Sequence, residues 1–315
     1  VLNEKFGEAD SSHFAYAIAA GSHGWPEAET LLTELISNNN QAAIVRATAV
    51  SLLPPYLSNR SAPTLQMVAQ SDEPILKLGL ASVADSIPSQ YRPAFVIPLL
   101  YDSNRVTRGL SASSLSGLPL SDFPVAVQQH YDVATDEYLA SSMFNADRPE
   151  TLTNLANYYQ QQGMTLWAVD FFQQAIDIAP YYTPAYINFA DYYRNQGDEK
   201  AAQNILQKAL DRVRDKAVVH HALGLSLVRE QRFDQALIHL KMAAETGDTS
   251  GQFNYVYAIA LNSKGDADKS LQILEEAQQQ YPNNQTIVAA LVSINRDLGR
   301  EQDALRYEKL MPFSR

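Results

Sequence analysis

Six histidines are the side chains of this sequence best suited to acid–base or metal chemistry: His13, His23, His130, His220, His221 and His239. Imidazole changes charge near neutral pH and is the commonest metal-ligating side chain. Their spacing favours neither use. Adjacent side chains on a helix point about 100° apart, which separates His220 from His221, and no HExxH run or i,i+4 histidine pair occurs. Each is read as serving structure or sitting in solvent. Cysteine is absent, which excludes disulfides, thiolate ligands and cysteine nucleophiles. The sequence has no GxxxxGK[ST] phosphate loop, no GxGxxG after a strand and no GxSxG elbow. The carboxylate pairs Asp136–Glu137 and Glu275–Glu276 fall on helical stretches that read as solvent-facing. No residue is assigned to catalysis, to a metal or to a cofactor held by this chain.

The bulk composition is that of a globular, acidic chain. Hydrophobic residues are 46% of the 315 and charged residues 19%, a globular balance. The net charge is −11, and both halves are acidic: Lys+Arg against Asp+Glu is 8 to 15 over residues 1–148 and 16 to 20 over 149–315. Nucleic-acid affinity rests on clustered Lys and Arg, so no nucleic-acid partner is expected. No apolar run approaches the roughly 18 residues of a membrane span. The opening VLNEKFGEAD has neither an initiator Met nor a basic-then-apolar leader, and reads as a processed product or an excised fragment.

The elements that must position any site are read from internal repetition. LANYYQQQG at 155–163 recurs as FADYYRNQG at 189–197, a separation of 34 residues. That period is the mark of tetratricopeptide repeats, each a pair of antiparallel helices. Starts at Pro149, Thr183, Ala217, Gly251 and Gln285 keep the register without insertion. Small residues (Ala156, Ala190, Gly224) allow close helix approach, Gly163, Gly197 and Gly265 stop the first helix, and Pro180 and Pro282 close the second. Tyr159, Tyr193 and His220 fall on core positions. The last unit, 285–315, carries Asn295 and Glu308 where earlier units are apolar, which predicts a cap with a polar outer face.

Residues 44–53, 75–84 and 106–115 (IVRATAVSLL, ILKLGLASVA, VTRGLSASSL) recur at 31 residues, each with a basic third residue: Arg46, Lys77 and Arg108. Each follows a shorter apolar segment and a polar break, the build of HEAT-type repeats. Asp72 and Asp102 are placed in the turns as caps of the following helices. HFAYAIAAG adds a helix in front, and residues 121–146 read as one long helix opened by Ser121 and Asp122. The predicted fold is therefore all-α, an α-α superhelix (solenoid). HEAT-like repeats span 1–120, a connecting helix 121–148, and the tetratricopeptide array 149–315.

In the tetratricopeptide register the first helices line a groove, through Thr153, Asn157, Gln160, Ile187, Asp191, Arg194, His221, Leu225, Tyr255, Ile259 and Asn262. Asn157, Gln160, Asp191, Arg194, His221, Tyr255 and Asn262 are the partner-binding candidates. Amides and Arg194 suit peptide backbone or carboxylate, and Tyr255 suits stacking. The competing reading is a solvated face with internal pairing, such as Asp191 to a neighbouring base. A clamp for a carboxy-terminal carboxylate fits poorly. Asn157 and Asn188 match its amides, but Thr153, Val218 and Ala222 stand where it needs bases.

The order HFAYAIAAG, IVRATAVSLL, MFNADRPETLTNLANYYQQQG, INFADYYRNQG, HHALGLSLVR, YVYAIALNSKG resembles the carboxy-terminal part of exported bacterial multihaem c-type cytochromes that carry HEAT and tetratricopeptide repeats. The resemblance implies an accessory interaction scaffold, periplasmic or at the cell surface, with a protein or peptide partner. It also implies c-type haem in a missing upstream region, bound through CxxCH motifs that this chain lacks. In that setting His13 or His23 is placed to approach a haem. The alternative is a free-standing envelope adaptor with no haem connection.

Overall fold

The computed structural model describes residues 13–246, 250–282 and 284–311. The opening decapeptide and the last four residues, on which the fragment and cap expectations partly rest, lie outside them. The architecture is all-α and helix-repeat, solenoid-like, and divides into two compact units, Val1–Asn145 and Ala146–Arg315.

The first unit contains α1 (Phe14–His23), α2 (Ala28–Ser37), α3 (Ala43–Leu52), α4 (Ala62–Ala69), α5 (Pro74–Val83), α6 (Arg92–Val96, continued by a 3-10 turn Ile97–Tyr101), α7 (Arg105–Leu115) and α8 (Val125–Phe144). Prolines within the first two positions of α4, α5 and α6 start these helices where a missing N–H costs nothing. Helices α3, α5 and α7 stack side by side, and α2, α4 and α6 form the facing layer. Leu32, Ile36, Val50, Leu53, Leu76, Leu80 and Leu99 are wholly buried between the layers.

The recurring bases tie successive layers together. The Arg46 Nε donates to Ile36 O at 2.8 Å. Lys77 pairs with the buried Asp102 of the next repeat. Arg108 donates Nε to Glu137 Oε2 at 2.9 Å and Nη1 to Asp102 O at 2.7 Å, which seats α8 on α7.

Two local expectations are corrected. The caps are not the aspartates: Asn104 caps α7 by accepting from Val106 N, and Asp102 instead accepts from Asn104 N and pairs with Lys77. Ahead of α5 it is Ser71 Oγ, not Asp72, that accepts from Glu73 N. The long helix opens at Val125, after a 3-10 turn Leu120–Asp122, because Pro124 has the fixed φ and absent N–H of a helix start.

Among the described residues the second unit is five helix pairs in 34-residue register. They are α9 (Pro149–Gln161) with α10 (Thr165–Ile178), and α11 (Thr183–Asn195) with α12 (Glu199–Leu210). Then come α13 (Ala217–Arg229) with α14 (Phe233–Thr246), α15 (Gln252–Ser263) with α16 (Ala267–Gln280), and α17 (Gln285–Asp297) with α18 (Glu301–Glu308). Every first helix closes with the same two hydrogen bonds. In the first repeat Gly163 N donates to Gln160 O at 3.0 Å and Met164 N to Tyr159 O at 2.9 Å, a Schellman motif. That motif requires positive φ, met by Gly163, Gly197, Gly265 and Gly299, and in the third repeat by Gln231 at φ 59.

Aromatic rings fill the interfaces. Phe172 is wholly buried and lies 5.1 Å from Phe189 of the next repeat. The tyrosine pairs divide their work differently from expectation. Tyr158 and Tyr192, which are 7% and 2% exposed, are the deeper members. Tyr159 and Tyr193 are half-buried and stack within their own repeat, on Phe171 and Phe189 respectively. Asn295 is 2% exposed, with its amide donating to Leu291 O at 2.8 Å, so it belongs to the interior of the last repeat and not to a polar outer face.

Candidate functional site

The inner positions of α11 and α13 converge, with Ala202 and Leu206 of α12 behind them, on a cleft of about 200 Å³. Ile187, Asp191 and Arg194 enter it from α11, and His221, Leu225 and Arg229 from α13. Spacings of i, i+4, i+7 on α11 and i, i+4, i+8 on α13 put each set on one helix face, and the 34-residue offset sets the two faces side by side. Three of the seven predicted binding residues, Asp191, Arg194 and His221, are thus brought together.

Charge in the cleft is compensated. Arg194 Nη1 lies 3.2 Å from Asp191 Oδ1, the internal pairing that competed with partner binding at the sequence level. Arg229 Nε donates to Glu199 Oε1 at 2.5 Å, and Ser226 Oγ to Glu199 Oε2 at 2.6 Å. Burial acts to raise the Glu199 carboxyl, but these two donors outweigh it and hold the group below the usual carboxylate range. The His221 ring packs 4.7 Å from Phe253 of the following repeat. The cleft therefore offers an apolar floor with fixed, mutually satisfied polar groups at its rim.

The other candidates are dispersed. Asn157 and Gln160 lie on α9, one repeat before Asp191 and Arg194 in the same register, and α9 packs on α11. Thr153 is buried, its hydroxyl donating to Pro149 O at 2.7 Å. Tyr255 and Ile259 on α15 pack against the core of the last repeats, and the Asn262 carbonyl accepts from Gly265 N. His13 Nδ1 accepts from Ala15 N as the cap of α1, and His23 Nδ1 sits 2.9 Å from Ala19 O. Among the described residues no three His, Cys, Asp or Glu side chains gather as a metal ion needs, and no helix is long and apolar enough to cross a membrane.

Several features escape sequence reasoning. Glu199–Arg229 is one rung of an inter-repeat ladder that continues in Asp234–Lys264 and Asp268–Arg300. The near-constant offset of about one repeat was the available signal. The first repeat replaces this polar turn with Met164, Leu166 and Trp167, exposed by 49%, 85% and 55%. Trp167 stacks on Tyr159 and Phe171 there. His220 and His239, 19 residues apart, meet across α13 and α14, a pairing that no spacing rule announces.

A tetratricopeptide repeat family model matches residues 149–182 and 183–212. No curated protein matches the chain. Among solved structures, MamA AMB-1 is 21% identical over 51% of this chain and 88% of its own, with a TM-score of 0.40. A chain of the APC/C hetero-tetramer Cut9-Hcn1 is 16% identical over 90% of this chain, with a TM-score of 0.43; this chain spans 52% of that one. Residues 149–212 are tetratricopeptide repeats, and the same register carries helix pairs on to Glu308.

Proposed function

We propose that this chain is a protein- or peptide-binding scaffold whose second unit takes an extended segment of its partner in the α11–α13 cleft. The observation that carries this is the cleft itself. Successive first helices present apolar Ile187 and Leu225 beside polar groups already held in pairs, so a partner is met by a preorganised surface. The chemistry on offer is recognition, with a protein partner and no reaction.

The test exchanges the pair, Asp191→Arg with Arg194→Asp. The intrahelical ion pair survives, so melting should be unchanged, while the direction of the rim charges reverses. Affinity capture from native extract should then lose the partners held by the unaltered chain. Undiminished capture would move the binding surface elsewhere, for instance to the ridge of α3, α5 and α7.

The finer reading attaches the scaffold to an exported multihaem protein, in the periplasm or at the cell surface. Its support is the motif order alone, and the tetratricopeptide match favours the alternative, a free-standing adaptor. The visible spectrum of the native protein, reduced and oxidised, separates them. Sharp c-type haem bands favour the first, and a featureless spectrum leaves the adaptor.

A further inference from the structure

His220 of α13 is 8% exposed, and its Nδ1 faces Nδ1 of His239, half-buried on α14, at 2.9 Å. The ring centroids are 5.1 Å apart. A ring nitrogen lies about 1.1 Å from its own centroid, so this spacing is nearly that of two nitrogens pointing head-on at one another, the direction of a hydrogen bond. Two ligands of a shared metal would instead aim at a third point beside them.

Head-on geometry fixes the protonation chemistry. With both rings neutral, one Nδ1–H donates and the other Nδ1 accepts. One added proton must enter a desolvated pair, and a second places two N–H groups nose to nose. We propose that His220 and His239 form a proton-sensitive latch that holds α13 on α14 and releases it on acidification.

The surroundings leave the added charge without an anion. Gln203, Asn204 and Gln207 of α12 line the cavity beside His239, and none ionises. Arg232 lines it too, with its guanidinium engaged by Glu230, Gln203 and Gln235. Helix α15 carries no acidic or basic residue, Asp191 and Arg194 of α11 pair with each other, and Glu199 of α12 pairs with Arg229. The charge that acts on His220 besides His239 is that of Lys216, of the same sign. Burial first, then these charges, push His220 below its ordinary range, and burial does the same to His239.

The sign follows directly. Both groups bind protons more readily unfolded than folded, so their stabilisation is complete above about pH 6.5 and is lost as pH falls through the lower folded values. At pH 5.5 the opened state gains up to about tenfold in population for each histidine. His221 and Leu225, on the same helix as His220, line the proposed partner cleft, so release would reshape that cleft. This last coupling rests on the scaffold reading, whereas the latch does not.

Hydrogen exchange of the full chain at pH 7.5 and 5.5, corrected for the intrinsic rate, tests the latch without any partner. The expected result is a loss of protection confined to α13 and α14, and smaller in His239→Gln, whose amide can still donate to His220 but cannot take a proton, so that only the share of the buried His220 remains. Protection that falls no more there than in α17 and α18, or falls equally in the variant, would overturn the proposal. If the variant fails to fold, ring-nitrogen NMR titration of the unaltered chain decides. Both rings should titrate below the same two histidines in the urea-unfolded chain, and titration at the unfolded value would overturn it.

Discussion

At the scale of the residue, the clearest irregularity is Gln231. Four of the five repeats end their first helix on a glycine with φ between 70° and 95°, and nothing lies within 4 Å of the Cβ each lacks. Those glycines answer to backbone conformation alone. The third repeat makes the same pair of hydrogen bonds, Gln231 N to Val228 O and Arg232 N to Leu227 O, with a side chain in the left-handed region. An L-residue there costs about 1–2 kcal/mol. Gln231→Gly should therefore stabilise the chain by about 1 kcal/mol after its greater unfolded-state entropy is counted, and Gly197→Ala should destabilise by a similar amount. Urea unfolding midpoints check both, and a lowered midpoint for Gln231→Gly would remove the argument. The glycine rule was legible from three sequence copies; its exception shows only in the backbone.

At the scale of the element, the helix pair is set by how closely its members approach. In the third repeat a Cβ on Gly224 would stand 2.5 Å from Leu240 Cδ2 and Cγ and 3.3 Å from Leu240 N. Leu240 is itself wholly buried. Gly224→Ala would gain about 1 kcal/mol of helix propensity but must displace a packed leucine, at about 1–3 kcal/mol. Net destabilisation of the α13–α14 pair, seen as faster exchange in both helices, is the expected outcome. A stabilised variant would mean the helices can part freely. The pair was legible in the sequence because a 34-residue period keeps Ala156, Ala190 and Gly224 in step. The caps of the first unit were not, since Asp, Asn and Ser all suit a cap and only geometry selects Asn104 over Asp102 and leaves α5 without a side-chain cap. The cleft was half legible. Register names Asp191, Arg194 and His221 correctly as neighbours, yet it assigns Tyr255 to the same face without knowing that the C-terminal core claims its ring.

At the scale of the whole molecule, each unit is a stack in which a layer is supported by the layers beside it. Stability in such an array is a sum of repeat and nearest-neighbour terms, not a single core shared by all. The acid–base ladder that runs through Glu199–Arg229, Asp234–Lys264 and Asp268–Arg300 follows that logic, but its side chains are largely exposed and each rung is worth little. The weight rests on buried rings between repeats. Phe172 is the clearest case: wholly buried on α10, it stacks on Phe189 and meets Tyr192, both on α11. Truncation of a buried phenylalanine removes about 3–5 kcal/mol. In a stack that loss falls on one interface, so Phe172→Ala should loosen α9 and α10 most, α11 and α12 less, and leave α15 to α18 protected. Hydrogen exchange resolved by helix would show this gradient. An equal loss from α9 through α18 would instead mean that the second unit folds as one indivisible core, and the nearest-neighbour account of its repeats would have to be given up.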